Sequence, residues 1–213
     1  MGQNAEDSVP AMPEMVEDPK NAIEYLTKER GIDNTIVSFF IREQLIMETV
    51  QYHNVAFIGK NGRGEIKNVH LRNLLSGDKK FRQTVKNSDS YYGFSYFGQG
   101  NKIYAFEAPI DMLSFISLYS IDWKKNSYIS LNGLSGNALY RALEEHKYLT
   151  DVVLCLDNDM AGNGACRRLE EDMKNGGYEC IRRLKSNLKD WNEDLLKRIE
   201  EREVSACHQL PSY

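Results

Sequence analysis

The chain has 213 residues, 41% of them hydrophobic, and a formal net charge of −4. That is enough apolar material for one large domain or two small ones, and the overall charge argues against a strongly basic nucleic-acid binder. No apolar run approaches the roughly 20 residues that span a bilayer, and the amino terminus lacks the charged-then-apolar pattern of a signal peptide, so a cytoplasmic protein without a membrane partner is expected.

Taken in chain order, residues 1–19 combine three prolines with five acids and show no periodicity, which reads as a flexible lead-in. Pro19-Lys20-Asn21 opens a short helix through Arg30, and Gly31 stands where a helix commonly stops. A second helix follows, capped by Asp33 or Asn34, with Ile36, Val37, Phe40 and Ile41 recurring on one face. From Val50 the period changes. Val55–Ile58 and Ile66–Leu71, joined by the turn-rich Gly59–Gly64, read as a hairpin, and the aromatic segment Tyr91–Phe97 reads as extended.

Charge along this part is uneven. Between residues 60 and 86 stand eight basic residues, Lys60, Arg63, Lys67, Arg72, Lys79, Lys80, Arg82 and Lys86, against Glu65 and Asp78. Basic side chains interleaved with aromatics can hold a phosphate backbone and stack bases, as single-strand binders do. The same composition also serves a packed strand with solvated lysines. Cys155, Cys166, Cys180 and Cys207 are too widely spread for a zinc ribbon, and the four histidines have no ligand spacing, so structural zinc is not expected. Cys155 lies within an apolar run and reads as a small core residue.

After Gly100 strand and helix alternate. Strands are expected at Ile103–Phe106, Tyr128–Leu131, Val152–Leu156 and near Cys180–Ile181. Helices are expected over Pro109–Ser120, Ser135–Tyr148, Ala161–Asn175 and Asp190–Glu203. This alternation predicts parallel crossovers and a doubly wound α/β sheet. The chain therefore divides into a lead-in (1–19), a small α+β domain with a hairpin (20–99), an α/β domain (100–203) and a tail (204–213).

Within the α/β domain, acids recur just after strands. Glu107 follows the first, Asp157 and Asp159 the third, and Asp190 to Asp194 opens the last helix after the fourth. Asp157-Asn158-Asp159 alone could be a turn and a helix cap, since Asp and Asn do both. Three acidic groups expected at one edge of a parallel sheet favour a metal site instead, because carboxylates crowded together repel unless neutralised. Magnesium suits such a site, as it takes oxygen ligands and commonly only one or two from protein.

Four segments, Glu107-Ala108-Pro109-Ile110-Asp111, Leu131-Asn132-Gly133-Leu134-Ser135, Asp157-Asn158-Asp159-Met160-Ala161-Gly162 and Lys189-Asp190-Trp191-Asn192-Glu193-Asp194, resemble the successive motifs of the Toprim domain. That domain is shared by DnaG-type primases, type IA and type II topoisomerases, overcoming-lysogenization-defect nucleases and the recombination mediator RecR. The segment from about 20 to 99 resembles the small domain that precedes Toprim in primase-like proteins of plasmids and conjugative elements. The resemblance implies a Toprim-type, mainly parallel sheet flanked by helices. It makes Glu107 the catalytic acid or base and Asp157 and Asp159 ligands of Mg2+ or Mn2+, with Asp111, Asp190 and Asp194 in supporting places. The family's glycine after its glutamate is Ala108 here, which puts close phosphate approach at that turn in question.

A primase-like nucleotidyltransferase acting in replication or transfer of a mobile element is the function this implies. Single-stranded DNA or another nucleic acid, nucleotides, and replication or conjugation proteins are the expected partners. A metal-dependent nuclease and a non-catalytic nucleic-acid-binding module stand as alternatives. Topoisomerase activity needs a tyrosine-bearing domain for which there is no room. A phosphatase of the haloacid dehalogenase type lacks the threonine expected after Asp159.

Overall fold

The computed structural model describes residues 9–74 and 82–207. The first sheet is an antiparallel meander of β1 (Ile46–Glu48), β2 (Val55–Lys60), β3 (Ile66–Arg72) and β4 (Arg82–Thr84), paired in that order. The expected hairpin is the β2–β3 pair. β1 and β4 have three residues each, too few to leave a legible alternation. Helix α1 (Lys20–Glu24) runs into a π-helical turn, Tyr25–Glu29, and α2 (Asn34–Arg42) starts at Asp33, whose side chain accepts the Thr35 N–H. Gly31 has φ +66°, and a Cβ there would lie 2.6 Å from Ile199 Cδ1. Glycine therefore both permits the turn and lets the chain approach the last helix.

The reading of residues 1–19 as a flexible lead-in fails for the described part. Ala11 N–H donates to Lys86 O, Val16 N–H to Glu48 O and Val50 N–H to Glu14 O, each at 2.9 Å. These bonds reach residues more than thirty positions away, so nothing local in the sequence announces them.

The second sheet has the order β5 (Ser95–Tyr96), β7 (Ser127–Ser130), β6 (Lys102–Phe106), β8 (Asp151–Leu154), β9 (Cys180–Arg183). The last four run parallel, and β5 joins antiparallel to β7. Tyr96 thus belongs to this sheet by its hydrogen bonds, although it precedes the boundary expected near residue 99. Helices α3 (Pro109–Leu118), α4 (Asn137–Glu145), α5 (Met160–Asn175) and α6 (Trp191–Cys207) make the crossovers and the final cover. α6 continues past residue 203, where a tail was expected.

Strand side chains alternate between two cores. Ile103, Ala105, Val152 and Leu154 pack with Leu139 and Leu143 of α4 and Leu169 of α5. Phe106, Val153 and Cys155 face the other way, onto α3, α6 and the amino-terminal helices. This two-sided burial explains the unbroken apolar run at 152–156. Among the described residues no helix is long and apolar enough to cross a membrane.

Trp191 fastens the end of α6 to the sheet. It is 1% exposed, its indole Nε1–H donates to Cys155 O at 2.8 Å, and its ring meets Phe115 edge-on at 5.0 Å. Asn192, also buried, donates from Nδ2 to Arg30 O at 2.8 Å and to Ser114 Oγ at 3.1 Å, tying the same turn to the first helices. Trp191→Ala should cost about 3–5 kcal/mol and lower the melting temperature by about 6–20 °C. Thermal denaturation followed by circular dichroism checks this, and a shift below two degrees would remove Trp191 as the anchor.

Candidate active site

The strand order fixes where a site can form. The connection from β6 through α3 leads to β7 on one side of β6, whereas β8 lies on its other side. The carboxyl ends of β6 and β8 therefore flank a topological switch point, where the crossovers diverge and leave a crevice. Glu107 is the first residue after β6, and Asp157 lies three residues after β8.

Loops place the acids more than strand geometry does. β8 ends at Leu154, and although Cys155 and Leu156 stay buried, Asp157 and Asp159 do not share a strand face. Asn158 between them clamps the neighbouring loop, donating its backbone N–H to Lys189 O at 2.7 Å and its Nδ2 to Ser186 O at 3.1 Å. Gly162 closes the turn, since a Cβ there would run into the Asp157 carbonyl oxygen. Both residues serve the site, whereas from the sequence Asn158 is read only as part of a turn or cap and Gly162 has no stated role.

Asp157 is the electrostatic focus. Its carboxyl is pushed up to about 7, first by burial and then by the negative charges of Glu107, Asp190 and Asp159, with Lys189 opposing. Its Oδ1 is buried without a hydrogen-bond partner. A half-buried carboxylate among three others is an arrangement that a cation would relieve.

The other acids are partly committed. Asp159 caps α5, its Oδ1 accepting the Gly162 N–H at 2.8 Å, so the capping reading holds for one oxygen. Asp190 caps α6 by accepting the Glu193 N–H at 2.8 Å while facing Asp157. Asp194 accepts the N–H groups of Asn187 and Leu188 at 2.7 and 2.8 Å, so it holds the loop before α6. Asp111 is buried in the first turn of α3, where the helix dipole favours an acid.

Among the described residues no three His, Cys, Asp or Glu side chains form a closed cage for an ion. The residues present fit magnesium or manganese of another kind, with Asp157 and the uncommitted oxygen of Asp159 as donors and water or substrate oxygens completing the shell. Ala108 raises no obstacle. Its φ of −131° and ψ of 155° are extended backbone that any residue adopts.

A thread of hydrogen bonds leads from the acids to the first sheet. Gly133 N–H donates to Glu107 O at 2.9 Å, and Asn132 Nδ2 donates to Asn68 Oδ1 at 3.4 Å. Beside Asn68, between the β2–β3 turn and α4, opens a cleft of about 850 Å³ lined by Arg63, Lys67, Tyr91, Tyr92, Arg141 and His146 among others. Tyr91 is 48% exposed, and the Tyr92 hydroxyl accepts from Arg141 Nη2 at 3.1 Å.

Among the described residues, the basic segment seen in the sequence does not form one face. Arg63 is exposed and pairs with Glu65 at 3.3 Å, as Lys67 does at 3.5 Å from a nearly buried position. Lys60 Nζ donates to Glu43 O at 3.0 Å beside the end of α2. Arg72 is buried, and its Nε donates to the Tyr25 hydroxyl at 2.8 Å, which makes it a packing residue. Lys86 is exposed. Lys79, Lys80 and the side chain of Arg82 lie outside the described residues. Arg141, which joins the cleft from α4, has no counterpart in the sequence reading, because only the fold brings it beside the hairpin.

Comparison with known proteins gives a consistent result. Residues 104–195 match the Toprim-like family, and residues 24–100 match a protein family of unknown function, DUF3991. An uncharacterized protein of Bacillus anthracis, pXO2-78, is 31% identical over 159 residues, which is 70% of this chain and 46% of that protein. The chain thus spans less than half of that relative's length. The MG010 homolog of Mycoplasma pneumoniae, also uncharacterized, is 34% identical over 160 residues, 67% of this chain and 72% of that protein. Among solved structures, the primase fragment of the bacteriophage T7 primase-helicase superposes with a TM-score of 0.62 at 20% identity, covering 83% of this chain and 71% of that one. A DnaG primase catalytic domain bound to single-stranded DNA gives 0.56 at 13% identity, covering 91% and 73%. At these identities the likeness is one of fold.

Proposed function

The chain belongs to the Toprim-domain family, and from that premise we propose that it is a magnesium- or manganese-dependent, primase-like nucleotidyltransferase acting on single-stranded DNA in replication or transfer of a mobile element. One observation carries the reading. Glu107, Asp159 and Asp190 converge on Asp157 at the switch point of a sheet shared in fold with primase catalytic cores.

The chemistry suits these side chains. In phosphoryl transfer a protein mainly positions the reactants and neutralises developing charge. A divalent ion on Asp157 and Asp159 would supply that neutralisation at the entering and leaving oxygens. Glu107, on the opposite lip of the crevice, would accept the proton of an attacking hydroxyl. The cleft beside the first sheet would take the template, with Tyr91 as a stacking surface and Arg63 and Arg141 toward phosphates.

The test offers the protein labelled nucleotides with a single-stranded template, and separately labelled DNA, under magnesium and under manganese. Template-dependent extension supports the proposal. Degradation would replace it with the nuclease reading, and binding without turnover with a non-catalytic module. For the cleft, Tyr91→Ala should weaken single-strand binding by roughly 1–3 kcal/mol, and Arg63→Ala should lower the slope of log affinity against log salt by about 0.7. Fluorescence anisotropy across a salt series reads both, and unchanged slope and affinity would move the template elsewhere.

A further inference from the structure

We propose that Lys189 holds a phosphate oxygen of the bound substrate over the carboxylate site. The assignment rests on the function proposed above and adds a residue to it.

The backbone of Lys189 is held between both loops of the site. Its carbonyl accepts the Asn158 N–H at 2.7 Å, its own N–H donates to Glu193 Oε2 at 3.2 Å, and the next residue, Asp190, caps α6. The Asn158 Nδ2 bond to Ser186 O secures the same two loops a second time. These bonds hold the Lys189 backbone beside the loop that carries Asp157.

Its side chain is exposed, and among the described residues its ammonium group takes part in no close ion pair, although its charge acts on the Asp157 carboxyl. Two arginines of this edge are engaged. Arg183 Nη2 donates to Asn163 Oδ1 at 2.7 Å, and Arg168 Nη2 donates to Leu134 O at 2.9 Å. A lysine held in backbone but uncommitted at its tip suits a ligand that arrives with its own negative charge. Phosphate is such a ligand, and a lysine meets it as a mobile point charge with three donors. The shared chemistry is a phosphate oxygen, carried by a nucleoside triphosphate or by the backbone of a strand.

The alternative is that Lys189 merely offsets carboxylate repulsion. The two roles differ in the phosphate probes. Removing a cation that only offsets repulsion leaves phosphate affinity unchanged and strengthens binding of a divalent ion.

Lys189→Met and Lys189→Arg, made in the full chain, separate these. Two probes are titrated in the presence of magnesium, ATP by calorimetry and a short fluorescent single strand by anisotropy, and manganese alone is titrated as a third. Lys189→Met should weaken one phosphate probe about tenfold to a hundredfold, with manganese affinity equal to or above that of wild type, and Lys189→Arg should restore most of the loss. A loss confined to ATP assigns the triphosphate, and one confined to the strand assigns the backbone phosphate. If wild type binds a probe and Lys189→Met binds both as well as wild type, the assignment falls while the proposed function stands. If wild type binds neither probe, both fall together.

Discussion

Glu107→Gln should lower turnover by about a hundredfold or more while metal and nucleic-acid affinity stay within about twofold of wild type, since loss of a general acid or base commonly costs that much. The substitution keeps size and hydrogen-bonding capacity and removes only the titrating group. Glu107 sits between β6 and α3, and an acid just ahead of a helix has a bland role, worth roughly 0.3–1 kcal/mol of interaction with the dipole. If that is all it does, turnover should be nearly intact and the melting temperature should drop by no more than about 4 °C. Steady-state rates with a template, together with thermal denaturation, distinguish the two. Wild-type turnover in the variant would take Glu107 out of the mechanism and leave a binding module as the better account.

The second large effect concerns Asp157, and its sign follows from linkage. The ordinary value of its carboxyl is 3.8, and in the fold it is pushed up to about 7 by burial and by Glu107, Asp190 and Asp159. The folded, metal-free chain therefore holds this proton more tightly than the unfolded chain. Its contribution to stability is complete below 3.8 and is lost as pH rises through about 7. A divalent ion competes with the same proton. Affinity should rise by up to about tenfold per pH unit below 7 and level off above it.

Asp157→Asn should abolish measurable magnesium and manganese binding and remove that pH dependence. In the metal-free state it should melt a few degrees higher than wild type near pH 8, because the ionised carboxyl no longer meets three others, and at about the same temperature near pH 4. Calorimetric titrations across pH, paired with melting curves without metal, read all three. Metal affinity that is flat from about pH 5.5 to 8, or retained in the variant, would show that the ion binds elsewhere.

The alternation of strand and helix after residue 100 was legible because each element is long enough to display its own period and is punctuated by Pro109, Gly133 or Gly176. The switch point followed from it only in outline. Parallel strands with crossovers imply a crevice at their carboxyl ends, but the β7–β6–β8 order that puts Glu107 opposite Asp157 depends on which side each helix packs, which no local signal states. The basic segment shows the reverse case. Its eight cations are plain in the sequence, yet Arg72 points inward to Tyr25 and Lys60 serves the end of α2. Sequence position gave their charge, whereas burial decided their use.

By itself the sequence determined the parallel sheet and the acids that follow its strands, because buried strands need continuous apolar runs and Toprim motifs stand in order behind them. Tertiary structure alone decided that Asp194 is spent on the loop before α6, that Asp159 has one oxygen committed to a cap, and that residues 11–16 are fastened to the first sheet. It also decided that Asn158, Gly162, Lys189 and Trp191 shape the crevice. Backbone groups and loops supply these relations, and a hydrogen bond from Asn158 to a carbonyl thirty-one residues away is set by how the helices pack, which leaves no periodicity for the sequence to carry.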